Sequence, residues 1–206
     1  MLKDSINSSG AFVIAEVGQN HQGELEKARE YIKIFAFEGA DAVKFQTRNN
    51  KYLFSDESYK KPYNSENSFG ETYGEHREKL ELDPEWLPIL KDDCKKYNIK
   101  FMSTPFDEPS LELLRNNDVD LIKLASFDLG NLPFIKRVAD LGKPTVISIG
   151  GGKLDQIRAS IEILLNQNVE TAILHCVSEY PCEYNRLGLS NIGILKKEFP
   201  DCLVGL

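Results

Sequence analysis

Only four of the 206 residues are cysteine, Cys94, Cys176, Cys182 and Cys202, and they are scattered. A disulfide scaffold or a zinc knuckle needs more sulfur at closer spacing, so these are read as reduced, mostly buried thiols. Histidine is rarer, with three, and no two stand at metal-ligand spacing. No apolar run approaches the roughly 20 residues of a membrane helix, and the start, Met1-Leu2-Lys3-Asp4, lacks the apolar segment of a secretory signal. Basic residues are in deficit, 25 against 32 acidic for a formal charge of -7, and no Lys/Arg cluster offers a face to a nucleic-acid backbone. These absences exclude a spanning helix, a nucleic-acid or membrane partner and a disulfide-built module. What is there is a globular composition, 41% hydrophobic and 28% charged, for which the cytoplasm is the expected address.

Apolar, β-rich runs recur in regular order: Phe12 to Gly18, Ala42 to Thr47, Lys100 to Phe106, Leu121 to Ser126, Thr145 to Gly150, Thr171 to Val177 and Leu203 to Leu206. They read as seven strands buried on both faces. Helical spacing lies between most of them, as in Leu25, Ala28, Ile32 and Phe35, or Leu154, Ile157, Ile161 and Leu164. One connection, Arg48 to Leu82, is long and polar, and a loop of that length is functional or disordered. It leads into a helix expected near Asp83-Pro84-Glu85, with Asp as cap. Repeated β-α units without a change of direction predict an α/β fold of the (β/α)8 TIM-barrel type. A barrel of eight strands takes about 250 residues, so residues 1–206 read as one partial barrel domain, cut inside the seventh strand.

Barrel enzymes carry their chemistry at the carboxyl ends of the strands. Glu16 closes the first strand and is followed by Gln19-Asn20-His21; Lys44 and Gln46, two apart, share a face of the second. Ser103-Thr104 end the third, Lys123 and Ser126 the fourth, Ser148 with Gly150-Gly151-Gly152 the fifth, and His175, Ser178 and Tyr180 the sixth. An unpaired ammonium is costly to bury, and here a lysine interrupts an apolar strand twice. Either each forms an internal salt bridge, with Glu16 or Asp128, or the two serve an anion site as point charges on phosphate or carboxylate. The glycine turn, opening a helix from Lys153, adds backbone N–H groups suited to an anion, although an ordinary turn explains it as well. Among the histidines, His175 reads as a core or functional residue, His21 as part of a polyol-binding cluster or a solvated turn, and His76 as part of a charged face.

The runs Ile14-Ala-Glu-Val-Gly-Gln-Asn-His21, Val43-Lys-Phe-Gln46, Met102-Ser-Thr-Pro-Phe106, Ile122-Lys-Leu-Ala-Ser126 and Leu174-His-Cys-Val-Ser-Glu-Tyr-Pro181 resemble the sialic acid synthase (N-acetylneuraminate synthase) family. The resemblance extends from Phe12 to Leu206 and implies condensation of phosphoenolpyruvate with an N-acetylmannosamine-like aldose, giving a nine-carbon 2-keto acid and phosphate. By motif position it implies that Lys44, Thr104, Lys123, Ser126 and Ser148 hold phosphoenolpyruvate, with Asp128 where relatives tend to carry Glu. Glu16, Gln46 and Tyr180 would face the sugar and the reacting carbons, Asn67 is the candidate sugar contact in the long loop, and His175 joins the substrate-binding candidates. Glu16, Lys44, Lys123 and Tyr180 are the catalytic candidates. The resemblance also implies a divalent metal, Mn or Mg, whose two histidine ligands lie beyond residue 206, and a homodimer completed by a small carboxyl-terminal antifreeze-like domain. No metal ligand is therefore expected in residues 1–206, and this stretch alone is expected to be inactive. One departure stands out: relatives often read Ser-Thr-Gly-Met after the fifth strand, where this chain has Ser148-Ile-Gly-Gly151.

The chemistry asks for fixed cations on phosphate and carboxylate, and for a carboxylate such as Glu16 to steer protons or stabilise developing positive charge. Two other classes use the same residues. A class I aldolase would make Lys44 or Lys123 a Schiff-base nucleophile, and a sugar-acid binding barrel would not catalyse at all.

Overall fold

The computed structural model describes Leu2 and residues 10–206, which group into two compact units, Phe12–Asp120 and one drawn mainly from Leu121–Leu206. The first unit holds β1 (Ile14–Gly18), β2 (Ala42–Thr47) and β3 (Lys100–Pro105), paired parallel and in chain order. The second holds β4 (Leu121–Leu124), β5 (Thr145–Ser148), β6 (Thr171–Leu174) and β7 (Leu203–Gly205), paired in the same way. All seven expected strands are present, and parallel strands in chain order with helical crossovers are the construction of a (β/α) barrel.

Burial explains the helices. In α1 (Leu25–Phe37) Ala28 and Ile32, four apart, are fully buried, and the helix stops where Gly39 turns at φ +86°. The connection after β2 contains α2 (Asn50–Leu53), α3 (Asp56–Lys60) and α4 (Tyr73–Lys79), and α5 (Leu87–Lys96) follows it. Leu87, Leu90 and Cys94 turn the inner face of α5 to the core, while Asp93 receives the Arg29 guanidinium of α1 at 2.7 Å. Asp107 caps α6 (Glu108–Asn116) by accepting from Ser110 N–H at 2.8 Å, and Leu111 and Leu114 are buried. In the second unit, α7 (Leu132–Ala139) buries Ile135 and Val138 and α8 (Leu154–Asn166) buries Ile157, Ile161 and Leu164, each worth roughly 1.5–3 kcal/mol. Of α9 (Ser190–Glu198) only Leu195 is buried, and Ile194 is 62% exposed. No helix among the described residues is long and apolar enough to cross a membrane.

The connection from Arg48 to Leu82 is folded, not a bare loop. Thr72 and Glu75 form a reciprocal capping box at the start of α4, and Pro62 and Thr72 make an antiparallel bridge. Phe54, Tyr63, Tyr73 and His76 pack as a small aromatic core, with Tyr63 and His76 centroids 4.5 Å apart. His76 is therefore buried, with Nδ1 accepting from Phe69 N–H at 3.2 Å, and the charged-face expectation for it is corrected: the helix turns it inward against rings. The helix expected at Asp83 begins as a 3-10 turn, Pro84–Trp86, capped by Asp83 and continued by α5.

Gly23 ties this segment to the sheet. Its φ is +70°, and a Cβ there would stand 2.1 Å from the carbonyl oxygen of Lys79 at the end of α4. Gly39 also has positive φ but faces open space. Gly23→Ala should lose roughly 2–4 kcal/mol in urea unfolding, from left-handed strain plus the backbone collision, and Gly39→Ala only about 1–2 kcal/mol. Equal losses would show that the Lys79 carbonyl moves aside freely.

Candidate active site

In the first unit the parallel register sets Glu16 beside Lys44 and Gln46 beside Thr104. Alternation puts Glu16, Lys44, Gln46 and Thr104 on one face, with Val43, Phe45 and Thr47 on the other. Lys44 Nζ ion-pairs with Glu16 Oε2, the lysine side chain 11% exposed and the carboxylate 47%. The salt bridge offered by the sequence as the alternative to an anion site is thus present. It leaves the ammonium with N–H groups beyond the one the carboxylate takes, and it places the carboxylate at the solvent end.

Behind this face lies a network of buried charge that the sequence reading did not identify. Glu81 Oε1 accepts from Gln19 Nε2 at 2.7 Å and from Arg48 at 3.2 Å, with Arg77 at 3.7 Å. Arg48 also donates to Gln46 Oε1 at 2.5 Å, and its guanidinium lies 4.0 Å from the centre of the Phe106 ring. Burial pulls the Arg48 guanidinium down and pushes the Glu81 carboxyl up, and each partner opposes the other's shift. Thirty-three residues separate the two, so no local motif announced them.

Gln19 is thereby turned to Glu81, and His21 is neither a polyol ligand nor a solvated turn. It is fully buried, its ring centroid 6.2 Å from that of Phe45 and 6.5 Å from that of Trp86, and Nδ1 accepts from Gly23 N–H. Burial holds its pKa down to about 4.

In the second unit Lys123 pairs in register with Val146, which shares its face with Ser148 two residues on. Lys123 is 6% exposed and donates to the Leu124 carbonyl at 2.7 Å. Asp128, 2% exposed, ends the 3-10 turn Ser126–Asp128; its Oδ2 has no hydrogen-bond partner among the described residues. Burial pushes the Asp128 carboxyl up to about 7, opposed by the charge of Lys123 and a hydrogen bond from Asn131. A cavity of about 300 Å³ is lined by Ser126, Ser178 and the turn Gly150 to Gly152. The turn is not an open nest of donors, because Gly150 N–H goes to Cys176 Sγ at 3.1 Å and Gly152 N–H to the Ile149 carbonyl at 3.1 Å.

His175 falls one residue past Leu174, so the pleat turns it to the face opposite Ser148, and its Nε2 meets the Leu187 carbonyl at 2.6 Å. That contact ties the ring to the segment after β6. Tyr180 is 95% exposed, and Asn67 sits exposed on a turn where its N–H donates to Ser65 Oγ. Among the described residues no three His, Cys, Asp or Glu side chains gather into a set that could hold a divalent metal.

Parallel β-α units paired in chain order define a (β/α)-barrel protein. Residues 31–206 match the NeuB family, and the chain belongs to it. Over its whole length it is 34% identical to 56% of the N-acetylneuraminate-9-phosphate synthase of Drosophila melanogaster. It is 36% identical, over 91% of the chain, to 57% of the N,N'-diacetyllegionaminic acid synthase of Campylobacter jejuni. The solved N-acetylneuraminic acid synthetase of Leptospira borgpetersenii superposes with a TM-score of 0.80 at 31% identity, covering 94% of this chain and 63% of that one. The chain spans a little over half the length of the curated relatives it matches.

His21 and Asp128 should tilt the pH dependence of stability in opposite directions. His21, depressed to about 4, contributes stability present above its unfolded value of 6.5 and lost as pH falls toward 4. Asp128, raised to about 7, contributes stability present below its unfolded value of 3.8 and lost as pH rises toward 7. Between pH 4 and 6.5 the two slopes oppose. Asp128→Asn should therefore make stability rise with pH by on the order of 1–3 kcal/mol across this window, and His21→Leu should make it fall, in urea titrations at stepped pH. The same tilt from both variants would contradict the assignment.

Proposed function

We propose that this protein condenses phosphoenolpyruvate with N-acetylmannosamine or a related hexosamine-type aldose, forming a nine-carbon 2-keto sugar acid and releasing phosphate. The observation that carries this reading is a lysine held on an apolar strand in each unit, each with a carboxylate nearby and hydroxyls on the same strand ends.

In this mechanism Lys44 and Lys123 act as point charges on phosphate or carboxylate, and Thr104, Ser126 and Ser148 are hydroxyl donors to such oxygens. C3 of the enol attacks the open-chain aldehyde carbon, C2 takes up water, and the C2–O bond to phosphate breaks; water supplies the ketone oxygen. Glu16, resting on Lys44 at the solvent end, steers protons and balances positive charge developing at C2. Asp128, with its pKa near 7, gives or takes a proton at neutral pH. Gln46, Asn67 and Tyr180 orient the sugar. A divalent metal, with ligands outside residues 1–206, would supply Lewis acidity toward the aldehyde when bound. The reading includes a cytoplasmic homodimer.

The Schiff-base alternative requires a neutral amine as nucleophile, and the ion pair of Lys44 with Glu16 favours the clamp. Phosphate release by the full-length protein tests the proposal. Lys44→Ala and Lys123→Ala should each raise the KM for phosphoenolpyruvate about 10- to 100-fold, the loss of a charge-assisted contact of roughly 1.5–3 kcal/mol, with the sugar KM nearly unchanged. A lysine variant that raised only the sugar KM would contradict its assignment to the anion.

A further inference from the structure

Gln46 stands on the β1–β3 face, and its amide presents an acceptor oxygen or a donor NH2 depending on a rotation of the end group. The neighbour at its far end removes that ambiguity. Arg48 has only donors, and one of them lies 2.5 Å from Gln46 Oε1. Arg48 is itself immobilised: Glu81 binds a second guanidinium nitrogen, the Phe106 ring lies under its plane, and its side chain is 10% exposed. Rotating the amide would set NH2 against guanidinium, donor against donor, in a partly buried setting where an unmade hydrogen bond is costly. Gln46 Nε2 is thereby directed to the strand-end side, where it lies 3.7 Å from the position a Cβ on Gly18 would take, close to the Glu16 carboxylate. Its N–H groups have no other hydrogen-bond partner among the described residues.

We propose that Arg48 is a positioning residue that fixes Gln46 as a hydrogen-bond donor, so that this side of the site selects an aldose presenting an oxygen lone pair, a carbonyl or hydroxyl acceptor, at that point. The inference rests on the synthase reading for the identity of the substrate, but the amide orientation stands apart from it. Arg48 does not touch the substrate and acts only through Gln46.

The test uses the full-length protein with phosphoenolpyruvate and N-acetylmannosamine as probes. Arg48→Met should raise the sugar KM about tenfold while leaving the phosphoenolpyruvate KM within about threefold, and Arg48→Lys, which keeps a donor on Oε1, should restore most of the loss. Gln46→Met should raise the sugar KM similarly, and adding Arg48→Met to it should change little, because a residue acting through another is silent once that other is gone. An equal effect of Arg48→Met in both backgrounds, or a rise in the phosphoenolpyruvate KM alone, overturns the proposal. Should Arg48→Met unfold by stranding Glu81, the Arg48→Lys and Gln46→Met comparison and the orientation itself still decide. A neutron structure of the wild-type protein should show the Gln46 deuterons on the Gly18 side, whether or not phosphate is released. Absence of turnover by the wild type would fail the synthase reading, and deuterons facing Arg48 would fail this one.

Discussion

Two ammonium groups standing on otherwise apolar strands are the constraint around which each unit is built. An ammonium taken from water into such a place needs a countercharge or hydrogen-bond acceptors, or it costs several kcal/mol. In the first unit the parallel register solves this, because Glu16 and Lys44 are partners across β1 and β2. In the second the Leu124 carbonyl and the charge of Asp128 do it, and Asp128 is pushed toward neutrality by its own burial.

The network behind the first of these lysines is heavier than a single ion pair. Arg48, Glu81, Gln19 and Arg77 are brought together from the end of β2, the segment after β1 and the end of α4. Breaking one member would leave charge stranded, so the network holds the long segment after β2 in register with the strand ends. The aromatic core of Tyr63, Tyr73 and His76 does the same from within that segment, and Asn49 N–H and the Tyr52 hydroxyl fasten it to Asp107 and Glu108 at the start of α6. A turn carrying Asn67 is in this way delivered by a folded element.

The strands were legible because each is a short apolar run bounded by turn residues, and a lysine inside such a run is conspicuous. The capping box Thr72–Glu75 was also present in the sequence as a local pattern, yet the segment around it read as loop because its helices are short and its core is made of rings spread over some twenty residues. His21 and His76 were misread for one reason: polar neighbours in sequence suggest exposure, while Phe45, Trp86 and Tyr63, distant in sequence, bury them. Arg48 and Glu81 carried no local signal, and only the folded chain brings them together.

The claim on which the account turns is that the strand lysines work as fixed charges and never as nucleophiles. Incubation of the full-length protein with pyruvate and borohydride, followed by peptide mass spectrometry, tests it directly, because an imine between lysine and a 2-keto acid is trapped irreversibly by reduction. Unmodified peptides spanning Lys44 and Lys123, from protein that releases phosphate from phosphoenolpyruvate in the presence of the aldose, are the expected result; a reduced adduct on either lysine would contradict it and put a Schiff-base aldolase in place of the synthase.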